Sequence, residues 1–76
     1  MKPSTQAGAI LNKYYRPSIG YGVTVWKFKD SKALDKAVAE IKEAVGEFYM
    51  SLIDMRVTRD RDILGTKENF IQIYDN

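Results

Sequence analysis

Residues 31 to 45, SKALDKAVAEIKEAV, set Leu34, Val38, Ile41 and Val45 at steps of four, three and four. Those steps align on one side of an α-helix, and the intervening lysines and glutamates fall on the other. Such a helix draws most of its stability from whatever packs against its apolar stripe. Asp30 and Ser31, just ahead of the stripe, are residue types that cap a first turn. The remaining segments therefore have to supply a surface that covers this stripe.

VTVWKFK, residues 23 to 29, is dominated by β-branched and aromatic residues and reads as a strand. IGYG precedes it, and glycines 20 and 22 permit a sharp turn there. Alternation along the strand is imperfect: Tyr21, Val23 and Val25 share one face, whereas Trp26 and Phe28 fall on the other. Either both faces are partly covered or a bulge shifts the register near Val25. At the far end NFIQIYD alternates Phe70, Gln72 and Tyr74 against Ile71 and Ile73, a second strand.

The middle of the chain is ambiguous. The apolar spacing continues through Phe48, Leu52 and Met55, so one helix from about 31 to 56 competes with a helix followed by a strand. Gly46 is costly inside a helix, and the aromatic and β-branched content of FYMSLIDMRVT favours helix then strand. RDRD then reads as a polar loop and ILGTKEN as turn chemistry. Near the start, Ala7, Ile10, Leu11, Tyr14 and Tyr15 mark a further helical face, with Ser4 as its cap and Pro17 ending it near Tyr15.

The expected fold is therefore α+β: a short N-terminal helix followed by a β-α-β-β unit, a small three-stranded sheet with one main helix packed on it. Residues 1 to 76 form a single small domain. The strands flanking the main helix would run parallel or be split by a third, and the last two would form a hairpin. Pairing of an open edge with a second copy would make a homodimer.

A chain this short buries only about 60% of the surface its unfolded form exposes, so its core is marginal. It contains neither cysteine nor histidine, which removes disulfides, thiol nucleophiles and the usual zinc ligands. A reducing cytoplasmic location is expected, since no signal-like or membrane-length apolar run is present. The net charge of +2 divides unevenly, with +5 on residues 1 to 29 and −3 on residues 30 to 76. That split implies a positive face and a negative face.

Catalysis would have to rest on Asp, Glu, Lys, Tyr, Ser or Thr. Asp54, Asp60 and Asp62 could hold a hard cation, but Arg56, Arg59 and Arg61 interleave with them, and mutual neutralisation is the better reading. Glycines 20 and 22 precede a strand, so they do not form a phosphate-binding loop. The expectation is a protein that is not an enzyme and uses neither metal nor cofactor.

Binding is the remaining class. Tyr, Trp, Met and Arg are enriched at protein interfaces or their hot spots, and this chain has five tyrosines, three methionines and one tryptophan. The leading expectation is a small module that docks on a larger intracellular protein or complex and can inhibit it. Its size is typical of proteins carried by phages and other mobile elements. The contacts are expected from Arg16, Tyr21, Trp26, Lys27, Arg56, Arg59 and Arg61, with Ile19 packing inward to anchor the turn between Arg16 and Tyr21. An alternative is sequence-tolerant binding of single-stranded nucleic acid, because Tyr14, Tyr15, Tyr21, Trp26 and Phe28 interleave with cations between Lys13 and Lys29. Against this, Tyr14, Tyr15 and Trp26 also suit the core. A further alternative is capture of a small anionic, nucleotide-like ligand between two subunits.

Overall fold

The main helix forms where its stripe predicts. In a computed structural model that describes residues 2 to 74, it spans Ser31–Val45. Asp30 caps it by accepting the Ala33 N–H at 2.8 Å. Gly46 ends it with φ +87°, a conformation that favours glycine, and its N–H closes on the Lys42 carbonyl at 2.8 Å. The full element order is α1 (Pro3–Leu11), β1 (Ser18–Gly20), β2 (Val23–Phe28), α2 (Ser31–Val45), α3 (Glu47–Met50), β3 (Met55–Ile63) and β4 (Thr66–Tyr74).

The four strands form one antiparallel sheet in the order β1-β2-β4-β3. The fold is thus α+β with a main helix, but the sheet has four strands where three are expected. The additional strand is β1, three residues paired from Ser18↔Val25 to Gly20↔Val23. β2 and β3, which flank the main helix in sequence, run parallel and are split by β4.

Both hairpins turn on two residues with positive φ, Tyr21-Gly22 at +51° and +76° and Leu64-Gly65 at +51° and +84°. Two-residue loops need this conformation at both central positions to match strand twist. Asp62 Oδ1 additionally accepts the Gly65 N–H at 3.1 Å.

One face of the sheet is covered and the other is open. Trp26 and Phe28 of β2 and Ile71 and Ile73 of β4 are buried with Ala7, Ile10 and Leu11 of α1 and Leu34, Ala37, Ile41 and Val45 of α2. Met55 and Val57 of β3 pack against the same core. The register places Val23, Val25 and Lys27, Phe70, Gln72 and Tyr74, and Arg56 and Thr58 on the opposite face. The uneven alternation of β2 thus reflects apolar residues on both faces, since its ladder with β4 runs without a register shift from Val23↔Tyr74 to Phe28↔Asn69.

The shift occurs in β3, between Thr58 and Arg61. There Arg59 and Asp60 stand opposite Asn69 alone, a β-bulge with Asp60 at φ +51°. Asn69 is 2% exposed, and its Oδ1 accepts the Asp60 N–H at 2.8 Å. Beyond the bulge β3 and β4 continue past the end of β2 as a two-stranded arm, with Arg61 facing Glu68 and Asp62 facing Lys67. RDRD is therefore strand, contrary to the loop expected, because opposite charges directly across a ladder stabilise pairing without burial.

Two further expectations are corrected. FYMSLIDMRVT becomes strand only from Met55; residues 47 to 50 form the short helix α3 after the break at Gly46. The first helix has Lys2 at its N-cap position without a side-chain cap, Pro3 in its first turn and Ser4 inside it, and it ends at Leu11, not near Tyr15. Pro3 suits that position because its missing N–H would have no helical partner there.

Two substitutions test this packing by thermal denaturation. A Cβ added at Gly8, inside α1, would meet the Trp26 ring at 3.8 Å, an ordinary contact. Gly8→Ala should therefore stabilise by about 0.5–1 kcal/mol, raising Tm by several degrees. Asn69→Leu should destabilise by about 1–3 kcal/mol, because the Asp60 N–H loses its acceptor at the bulge.

Candidate interaction surfaces

The aromatic residues between Lys13 and Lys29 do not form one platform. Trp26 is 3% exposed and donates its indole N–H to Asn12 Oδ1 at 2.9 Å. It supports the fold, and its expected role as a contact residue is withdrawn. Tyr15 packs edge-on to Phe28 at 5.1 Å between ring centroids, and Tyr14 lies tilted at 6.3 Å from the same ring. Those two tyrosines pack inward as the sequence suggests. Ile19 does the opposite of what is expected and stands 78% exposed on the edge strand β1.

Tyr14 also belongs to a polar staple that joins the turn after α1 to the main helix. Its hydroxyl donates to Glu40 Oε1 at 2.9 Å, and Lys13 Nζ lies 2.9 Å from Glu40 Oε2. Lys13 first, and then the Tyr14 hydroxyl, hold the Glu40 carboxyl below its ordinary value. Glu40 in turn holds Lys13 and Tyr14 above theirs. The nearby Gln6 amide reaches the Ala44 carbonyl at 3.3 Å and adds a second tie between α1 and α2.

The remaining expected contact residues are exposed but dispersed. Tyr21 occupies the first position of its hairpin turn with its ring fully exposed. Arg16 is exposed in the segment leading to β1. Lys27 and Arg56 lie on the open face of the sheet, and the register carries Arg61 to the same side. Arg59 is drawn the other way by the bulge: its guanidinium binds Asp35 of α2, with Nε at 2.8 Å from Oδ1. The three arginines thus do not act as one patch.

An apolar surface that sequence reading assigned to a strand lies on and after α3. Phe48, Tyr49 and Leu52 are 71%, 53% and 64% exposed, and the two rings touch edge to face at 5.2 Å. The heptad-like spacing of Phe48 and Leu52 with Val45 suggested packing, but the break at Gly46 leaves both exposed. Beside them a shallow cleft is lined by Pro3, Gln6, Val45 and Tyr49. Hydrogen bonding of the Tyr74 N–H to the Asp54 carbonyl places the entry to β3 at the end of the sheet where Tyr21 also turns. Tyr21, Phe48, Tyr49 and Leu52 therefore sit at one end of the molecule, and Leu64 tips the arm at the other.

The staple fixes a pH dependence. Because Glu40 is depressed in the folded state, its contribution is present above the ordinary carboxylate value and lost as pH falls through the lowered one. Lys13 and Tyr14 are raised, so theirs is present below their ordinary values and lost as pH rises through the elevated ones. The Tm difference between the wild type and Glu40→Gln should be flat around neutrality and shrink in both acid and strong alkali. A difference independent of pH would show that the staple carries no charge-dependent stability.

No protein family, curated protein or solved structure matches the chain at a significant level.

Proposed function

We propose that the protein is a non-enzymatic binding module that docks on a larger protein or complex. The observation that carries this reading is the exposed apolar group Phe48, Tyr49 and Leu52. Large apolar side chains gathered on the surface of so small a domain lose solubility unless something covers them. Edge-to-face rings beside a cleft suit the anchor-and-pocket chemistry of interface hot spots.

The hairpin turns support the same reading. Tyr21 and Leu64 hold φ +51° at positions where Asn or Gly would be relaxed, and both side chains are fully exposed. A left-handed conformation costs a residue of this kind roughly 1–2 kcal/mol. Neither side chain gains burial in return, so each is better explained by a contact outside the chain. Inhibition follows wherever the surface that the module occupies is one its partner needs.

Two variants separate docking from folding. Phe48→Ser with Leu52→Ser should leave Tm nearly unchanged, since both side chains are mostly in water, yet abolish retention of the natural partner from nuclease-treated lysate of the source cell. Tyr21→Asn should raise stability by about 1 kcal/mol by relaxing the turn while weakening the same capture. Retention of the same proteins by all three polypeptides, or of none by the wild type, would contradict the proposal.

A further inference from the structure

The open face of the sheet carries an unbalanced set of charges. Ion pairs within 4.0 Å among the described residues are Lys13–Glu40, Lys42–Glu47 and Arg59–Asp35, and each has a member on α2. Lys27, Arg56 and Arg61, which the register places on the open face, stand in none of them. On the regular strands of that face the register places one carboxylate, Glu68, opposite Arg61. Three cations thus share this face with one carboxylate, so the complement of the face is an anion.

The side chains between those cations set the kind of anion. Lys27 stands directly opposite Phe70, Val25 and Arg56 lie on either side of Gln72, and Val23 stands opposite Tyr74. Phe70 and Tyr74 are half-buried and lie four residues apart on β4, about 13 Å along the strand. Lys27 and Arg56 are one strand away on opposite sides, about 5 Å in the hydrogen-bonding direction. Two rings on an open four-stranded sheet, with a side-chain amide between them and cations at both flanks, match unpaired bases joined by phosphates. A duplex would present neither its base faces nor a groove that a broad sheet can enter.

We infer that this face binds single-stranded nucleic acid, with Phe70 and Tyr74 stacking on bases and Lys27, Arg56 and Arg61 neutralising phosphates. The site lies across β2, β4 and β3, not in the Lys13 to Lys29 segment whose rings the core absorbs. It is separate from the α3 surface, so the two readings can fail independently.

Fluorescence anisotropy with labelled oligo-dT and oligo-U of about 20 nucleotides, a duplex of the same length and polyglutamate tests the inference. Both single strands should bind, with log affinity falling linearly against log salt. Lys27→Gln with Arg56→Gln should lower affinity at least ten-fold at low salt and reduce the slope by about 1.4, two phosphate contacts at roughly 0.7 each. Phe70→Leu and Tyr74→Leu, which keep an apolar side chain on the strand, should each lower single-strand affinity about five-fold or more without changing the slope. Lys32→Gln with Lys36→Gln on α2, and the Phe48→Ser/Leu52→Ser pair, should bind as the wild type does.

The inference is overturned if neither single strand binds at low salt, or if Lys27→Gln/Arg56→Gln binds like the wild type. It is equally overturned if the duplex or polyglutamate binds as tightly as the single strands, since charge alone, or an acidic protein, would then account for the face. A preference between oligo-U and oligo-dT would identify RNA or DNA as the source of the strand.

Discussion

The seating of α2 on β4 holds the molecule together. β4 lies between β2 and β3, so its inward side chains Ile71 and Ile73 sit at the middle of the sheet, where the Leu34, Ala37 and Ile41 face of α2 shares their core. Apolar area removed from water at about 25 cal/mol per Å² makes such a contact the main favourable term in a domain with no disulfide. α1 extends the same layer over Trp26, and its polar ties run to α2. With so few residues the helices cover one side only. An unroofed second face is a direct result of chain length.

That result shows where the sequence was informative and where it was not. α2 could be read because its periodicity, its Asp30 cap and its Gly46 terminator agree with one another. The body of β2 and β4 from Asn69 onward could be read from their residue types, and the two X-Gly turns from their glycines, but Thr66 to Glu68, read as turn, pair as strand. β1 was missed because Ser18–Gly20 is short and wholly exposed, leaving no apolar alternation to detect. The distal part of β3 was missed for a related reason: Arg61 and Asp62 are matched by charges on the neighbouring strand and not by a core, so they resemble a solvated loop. Of the expected contact residues, only Trp26 is interior, because composition cannot distinguish a ring that binds from one that fills. The group at Phe48 to Leu52 was hidden by a heptad pattern that Gly46 interrupts.

Position along the chain does not decide which charges are paired. The surplus of bases in the first 29 residues suggested one positive and one negative half. In the fold, Lys13 from the basic segment is neutralised by Glu40, and Arg59 from the acidic segment by Asp35. Both ties anchor to the same helix, so α2 organises electrostatics as well as packing. Basic side chains facing away from α2 are left to interact with whatever approaches the sheet. Screening shortens the reach of such exposed charges to about 8 Å at physiological salt, so they act on a partner in near contact.

The Asn69 clamp also has a mechanical meaning. By fixing the bulge from within the core, it isolates what happens to the strands beyond it, since every residue from Arg59 to Lys67 is exposed and contributes nothing to the interior. The tip at Leu64-Gly65 is accordingly a place where the chain could be lengthened, shortened or replaced by a foreign peptide without disturbing the remainder. Evolution and protein engineering meet the same structural freedom there, because the core does not dictate the sequence of that tip.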